Sequence, residues 1–363
     1  MNKKRKRILL TGPKIGYASG ISTHVKNIIE SELRNKYYFE HLPVGSGPEK
    51  ESKKRKIKRI SSNYVHFFKR ARTFDLIHIN TALTGKALAR DFFFCFLCEV
   101  LKKRYIAQFH SGEDIKKFLS KKTGRNLFIW MIRKSEKSIF LLKSEVNEVK
   151  KIFDPSKIYQ IYNGINIHHY KRIKKNFLKD EGIILGYIGR VDESKGVFES
   201  IAAIHALINQ HHLPLKYCIA GYGPAEILLR RMVNDLKLNN FVTFKGTVQD
   251  HAKIQFWEEL DIFLFPTKFY EGVPYSFLES LASGTPVITT RYGGMNEIVD
   301  LVPECKTVPV GDVDQIVLVI KNMFENRKKM TEISEKIKNR AEKYFSIESM
   351  TRNLDLCYEE SLK

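Results

Sequence analysis

Short apolar runs that end in loops rich in glycine, proline or charge recur along this chain, and they limit its possible folds more than any other feature. In the second half the runs are Ile183–Ile188, Tyr217–Ala220, Val242–Phe244, Ile262–Phe265 and Pro286–Thr290. Each is too short for a core helix and of the right length for a strand buried on both faces, and helical stretches lie between most of them. The first half has the same rhythm. Ile8–Thr11 reads as a strand and Gly12–Gly20 as a loop of small residues. Ile21–Leu33 reads as a helix with Ile21, Val25, Ile28, Ile29 and Leu33 on one stripe. Asp75–Asn80 and Tyr105–Phe109 read as further strands, with Leu83–Val100 as a helix between them.

Alternation of this kind closes into parallel sheets covered by helices. The expectation is therefore two α/β domains in tandem, 1–170 and 171–345, joined through the polar, basic stretch from Lys171 to Lys179. The end is helical, with Ile333, Ile337 and Ala341 on one stripe, a break at Phe345-Ser346, and a last amphipathic helix. Periodicity does not name that helix's partner; the domain assignment packs it, about 346–363, back on the first domain.

With 363 residues and 43% hydrophobic content the chain can fill two cores, which excludes wholesale disorder. Its net charge of +22 is unevenly placed. Residues 1–170 hold 36 Lys+Arg and 14 Asp+Glu, whereas 171–363 hold 26 of each. The first half is thus expected to meet something anionic: nucleic acid, a membrane leaflet or an acidic substrate. The longest strongly apolar run, Phe92–Cys98 between Asp91 and Glu99, is far short of a bilayer span. The basic start is followed by an apolar stretch that stops at Thr11-Gly12-Pro13, which argues against a secretory signal and for a cytosolic compartment.

Five scattered cysteines agree with that compartment. Cys95 and Cys98 have no second pair to complete a zinc site and read as small apolar residues on one helix face. Asp312-Val313-Asp314 reads as helix capping rather than a metal site, and His168-His169 and His211-His212 lack ligand spacing.

In open parallel sheets ligands bind beyond the carboxyl ends of the strands. After the first strand, Gly16 to Gly20 leads into a helix start whose free N–H groups suit an anion. The spacing Gly16-x-x-x-Gly20 differs from the dinucleotide fingerprint G-x-G-x-x-G. After Ile188, the loop Gly189–Gly196 carries Arg190 and Lys195, two cations able to converge on one diphosphate. After Phe265, the loop carries Glu271 and Gly272 and then Pro274, which suits a first helical position. Glu271 and Glu279, eight apart, would lie about 80° apart around a continuous helix, so shared work on one ligand is easier with Glu271 in the loop.

The run Gly189-Arg190…Lys195-Gly196, Gly221-Tyr222-Gly223-Pro224, Glu271-Gly272…Glu279 and Ala282–Ile288 resembles the donor-binding half of retaining glycosyltransferases of family 4, glycosyl transferases group 1, with the GT-B fold. A fainter likeness in the first half rests on Ser19–Val25, Asp75–His78, His110 and Asn163-Gly164. Ser19 stands where the family often has glycine, and so does Pro274.

The resemblance implies two Rossmann-like domains facing across a cleft that holds a nucleotide-sugar, expected to be a UDP-sugar. It implies that Arg190 and Lys195 hold the diphosphate and that Glu279 binds the ribose hydroxyls. Glu271 with the Gly272 and Val273 backbone would lie at the transferred sugar, Gly20 would approach the phosphates, and His110 would lie near the reactive centre. It implies retention of anomeric configuration, no metal, and no cofactor beyond the nucleotide-sugar as co-substrate.

In such folds the first domain binds the acceptor, and here it carries the whole excess charge. The run Lys53–Arg59 with Tyr64–Arg70 mixes cations and aromatics in a way suited to an anionic bilayer surface, or alternatively forms a solvated loop. The expected acceptor is a lipid-linked or membrane-associated saccharide, used in polysaccharide or glycolipid assembly by a peripheral protein on the inner face of the cell membrane. A soluble or protein acceptor is the alternative. A nucleic-acid-binding protein shares the charge, but no recognised binding motif accompanies it, so no nucleic-acid partner is expected. A sugar-nucleotide-binding scaffold without activity would share the motifs.

Overall fold

The computed structural model describes residues 5–17, 19–45, 52–121, 124–178 and 182–363. It divides into two compact units, Met1–Gly164 with Ile347–Lys363, and Ile165–Ser346.

In chain order the first unit holds β1 (Lys6–Gly12), α1 (Gly20–Glu30), α2 (Leu33–Lys36), β2 (Tyr37–Pro43), α3 (Lys53–Ala71), β3 (Leu76–Thr81) and α4 (Gly85–Val100). It continues with β4 (Tyr105–Phe109), α5 (Ile115–Ser120), α6 (Arg125–Lys134), β5 (Lys137–Phe140), α7 (Lys143–Val149) and β6 (Ile158–Gln160). The second unit holds β7 (Ile183–Ile188), α8 (Val197–Asn209), β8 (Leu215–Ala220), α9 (Glu226–Asp235), β9 (Val242–Gly246), α10 (Asp250–Glu259) and β10 (Ile262–Phe265). It ends with α11 (Tyr275–Ser283), β11 (Val287–Thr290), α12 (Met295–Leu301), β12 (Lys306–Val308), α13 (Val313–Glu325) and α14 (Arg327–Phe345); α15 (Ile347–Leu362) then returns to the first unit.

The first sheet has the order β2-β1-β3-β4-β5-β6 and is parallel throughout. Strand side chains alternate between its faces. Leu9, Ile77, Ile79 and Phe109 pack with Phe67 of α3, Phe94, Cys95 and Cys98 of α4, and Phe128 of α6. On the other face Ile8, Leu10, Leu76 and Ile106 pack with Val25 and Ile28 of α1 and with Met350, Leu354 and Tyr358 of α15. Cys95 and Cys98 are thus core residues of one helix, and burial raises both thiols well above their ordinary range.

The second sheet, β12-β11-β10-β7-β8-β9, is also parallel and has the doubly wound order in which the chain reverses direction between β7 and β10. A crevice opens where connections leave neighbouring strands in opposite directions. Here those connections are the loops that carry Arg190, Lys195 and Glu271.

Three expectations change in detail. The Lys53–Arg59 run is not a loop but the opening of α3, capped by Ser52, whose hydroxyl accepts from the Arg55 amide. Lysine and arginine are good helix formers, and Phe67 and Ala71 anchor the far end in the core. The first helix stops at Glu30, and a separate short helix contains Leu33. Pro274 sits one residue before α11, with extended backbone (φ −71°, ψ 132°), rather than inside its first turn. Among the described residues no helix is long and apolar enough to cross a membrane.

Candidate functional site

In the second unit the β7 and β10 loops are pressed together. Gly196 has φ +74°, and a Cβ there would come within 2.1 Å of the Pro266 carbonyl oxygen. Only glycine fits that backbone and that gap. The Lys268 amide donates to the Ser194 carbonyl at 2.7 Å, tying the second loop to the first. Asp192 closes the turn before Lys195, accepting from the Ser194 amide and from its hydroxyl at 2.7 Å.

This clamp brings Lys195 Nζ to 2.6 Å from Glu271 Oε1. The Thr267 hydroxyl also donates to Oε1, at 3.2 Å, and Lys195 lies 4.1 Å over the Phe269 ring. Both charges are largely removed from water, their side chains being 17% and 10% exposed. Glu271 is in the loop before α11, the placement that makes shared work with Glu279 on one ligand easier. Gly272 is half-buried and Val273 buried, and Pro274, at the N-cap of α11, has no side-chain acceptor of its own. A helix start near a buried ammonium is an anion-receptive place.

Arg190 is different. Its side chain is 68% exposed and lies 3.8 Å from Asp192, while its carbonyl accepts from the Tyr187 hydroxyl at 2.7 Å. The backbone is fixed and the guanidinium is left in solvent. The neighbouring β8 loop is packed against it: a Cβ on Gly221 would meet the Gly189 carbonyl oxygen at 1.9 Å.

Glu279 is buried in α11 and holds two donors. Lys253 Nζ is 2.7 Å from Oε1, and the Trp257 indole N–H donates to Oε2 at 3.2 Å. Neither partner is legible beforehand, because α10 meets α11 only once the chain has crossed from β9 back to β10. The one advance signal is that a core tryptophan needs an acceptor for its N–H. A carboxylate has about four acceptor positions, so Glu279 can take further donors.

The first unit gathers a different set. Positions 76, 78 and 80 of β3 and 106, 108 and 110 at β4 share the α1/α15 face, and they run from apolar to polar toward the strand ends: Leu76, His78, Asn80 and Ile106, Gln108, His110. His110 Nε2 is 2.8 Å from Asn80 Oδ1, and its ring meets that of His24 edge-on with centroids 4.8 Å apart. Gln108 Oε1 lies 3.0 Å from Nε2 of both His24 and His78. His78 Nδ1 lies 2.8 Å from the Tyr358 hydroxyl.

Burial pushes His24 down to about 4 and His78 to about 3, the latter helped by His24. It also holds His110 well below its usual range, with His24 and His78 adding to the effect. All three are neutral at pH 7. His110 was expected from the sequence, whereas His24, His78 and Gln108 as a set were missed. Their signal is the polar gradient on alternate strand positions. Gly20 is exposed as the first residue of α1, just after Ser19, whose hydroxyl caps the helix by accepting from the Ser22 amide.

Asp312 caps α13 by accepting from the Gln315 amide at 2.9 Å, as its sequence position predicts. Among the described residues no three His, Cys, Asp or Glu side chains come together as a metal-holding group.

Residues 170–341 match the family model described as Glycosyl transferases group 1, which spans nearly all of the second unit. The chain is 31% identical over 174 residues to an uncharacterized glycosyltransferase of Methanocaldococcus jannaschii, covering 44% of each. It is 31% identical over 128 residues to the putative colanic acid biosynthesis glycosyltransferase WcaL of Escherichia coli, covering 32% of this chain and 31% of that one. The matched segments span less than half the length of these curated relatives.

In three dimensions the chain is similar to the crystal structure of Anabaena HepE in complex with UDP and glucose. The TM-score is 0.77 at 17% identity, and the match covers 98% of this chain and all of that one. At that identity the likeness is one of fold: a two-domain α/β architecture of GT-B type with a parallel sheet in each unit.

Proposed function

We propose that the chain is a glycosyltransferase that moves a sugar from a nucleotide-sugar to a saccharide acceptor. The single observation that carries this reading is the Lys195–Glu271 pair, held at 2.6 Å in the loop that leads into α11, at the point where the second sheet reverses direction. In this reading Lys195 and Arg190 bind the diphosphate of the donor. As the bond from C1 to the phosphate oxygen breaks, its electron pair goes to that oxygen, and fixed cations there stabilise the departing nucleotide. Glu279 accepts from the ribose hydroxyls. Glu271 and the Gly272 and Val273 backbone orient the sugar. The acceptor hydroxyl attacks C1, and its proton passes to the leaving phosphate.

UDP is the proposed nucleotide, a choice supported by the UDP and glucose in the HepE structure. We further propose family 4 membership, retention of anomeric configuration and no metal requirement. The acceptor is proposed to be membrane-associated or lipid-linked, in polysaccharide or glycolipid assembly at the cytoplasmic face. The excess charge of residues 1–170 and the likeness to a colanic acid biosynthesis protein support this.

Nucleotide release from UDP-, GDP- and ADP-sugars, measured with EDTA present and with Glu271→Ala as control, tests the reading. Release from a UDP-sugar that survives EDTA and is lost in the variant is the expected result. Absence of both release and thermal stabilisation with every donor would overturn it. The anomeric proton of the product, read by NMR, tests retention.

A further inference from the structure

The outer face of the first unit carries a feature that donor chemistry does not use. Residues 52–58, the cap and opening turns of α3, are exposed on every side. Five of them, Lys53, Lys54, Arg55, Lys56 and Lys58, are cations, and α3 contains no Asp or Glu at all. Among the described residues no carboxylate pairs with these five.

Beside this helix, α4 turns a second set outward. Phe93, Phe96 and Val100 recur at i, i+3 and i+7 and are 52%, 47% and 56% exposed. A protein of this size ordinarily scatters such side chains singly. The two helices pack side by side, since Tyr64, about two turns beyond the cationic opening of α3, meets the Phe93 ring with centroids 5.7 Å apart. The carboxylates of α4 do not offset the field: Asp91 is buried against Arg90, and Glu99 lies 3.6 Å from Lys134 of α6.

We propose that this α3–α4 face docks on an anionic lipid surface, with the α4 apolar stripe entering the headgroup boundary and the opening of α3 lying along the phosphates. Charge selects the occupant. A second copy of the chain would bring one carboxylate-free α3 against another, and a nucleic acid would leave the phenylalanines with no apolar partner. A bilayer accepts both halves, apolar side chains below the headgroups and ammonium and guanidinium groups among them. The proposal gives the membrane-associated acceptor a docking surface, and it stands or falls without donor turnover.

Sedimentation of the full chain with sucrose-loaded vesicles tests it. Vesicles of phosphatidylcholine mixed with phosphatidylglycerol are compared with phosphatidylcholine alone. The wild-type chain is expected to sediment with the anionic vesicles only. Each cation near an anionic leaflet multiplies binding about fivefold. Changing Lys53, Lys54, Arg55, Lys56 and Lys58 to Gln is therefore expected to abolish binding. Phe93→Ser with Phe96→Ser is expected to weaken it about tenfold or more, and the residual binding should be more salt-sensitive than in the wild type.

Failure of the wild-type chain to sediment with anionic vesicles would overturn the proposal. So would variants that bind as the wild type does, or a Phe93/Phe96 variant whose only change is from dimer to monomer. Donor-dependent nucleotide release in the same preparations separates this outcome from failure of the glycosyltransferase reading.

Discussion

The two units place polar groups at the carboxyl ends of parallel strands in opposite electrical states. In the second unit the groups are charged and paired: Lys195 with Glu271 and Lys253 with Glu279, all partly or largely buried. In the first unit His24, His78 and His110 are held neutral, linked through Gln108, Asn80 and Tyr358 rather than through any carboxylate. The same sheet geometry thus gathers paired charges at one set of strand ends and neutral, hydrogen-bonded imidazoles at the other. Desolvation explains the difference. A buried charge persists when an opposite charge lies within bonding distance, and an isolated buried imidazole sheds its proton instead.

The largest expected effect lies on the charged side. Lys195→Ala removes the cation nearest Glu271, and nucleotide release is predicted to fall about 10²–10³-fold, with Arg190→Ala abolishing turnover as well. Near-normal activity in both would leave the charged side without its assigned role.

The next effect concerns Glu279. Trp257→Phe and the less buried Lys253→Met each remove one donor from its carboxylate, and hydrogen bonds to charged groups are worth about 1.5–3 kcal/mol. Affinity for UDP is predicted to fall about tenfold or more, while affinity for 2′,3′-dideoxy-UDP, which lacks the ribose hydroxyls, stays unchanged. Equal losses for both nucleotides would reduce Lys253 and Trp257 to packing residues.

On the neutral side the prediction is one of pH. His24 and His78 have folded-state values of about 4 and about 3, below the 6.5 of an unfolded chain, so the unfolded state takes up protons first. Their contribution is complete above pH 6.5 and declines as pH falls toward 4 and 3, by about 1.4 kcal/mol per unit for each histidine. Denaturant midpoints at pH 7 and pH 5 should differ accordingly, and the difference should shrink in His78→Gln. A flat profile would contradict neutral burial. The smallest effect is at a cap: Asp312→Ala is expected to cost about 1 kcal/mol of stability and to leave nucleotide release unchanged.

Most central strands were legible because their runs are apolar and end at residues that cannot continue them, whereas β5, whose Lys-Ser-Ile-Phe sequence is only half apolar, was not. β4, β7 and β10 have the bounds expected from Tyr105–Phe109, Ile183–Ile188 and Ile262–Phe265. The edge strand β2 was not read, since its Tyr-Tyr-Phe-Glu-His-Leu-Pro sequence is half solvent-facing and lacks that contrast. β12, with two of its three residues exposed, escaped for the same reason.

At the site, Lys195, Glu271 and Glu279 could be named from loop position and resemblance. Lys253 and Trp257 could not, because they reach Glu279 through a crossover whose direction only the sheet order fixes. The histidine set was hidden differently: each member looks like an odd residue in an apolar strand or helix until strand direction shows all of them at one end.

The most direct test of the contrast between the units is the UDP dissociation constant of the chain in which Arg190 and Lys195 are both Ala, measured by calorimetry beside the wild type. If the second unit's charges hold the diphosphate, affinity falls by about a hundredfold. If the double variant binds UDP as tightly as the wild type does, the charged strand ends of the second unit are not the donor site.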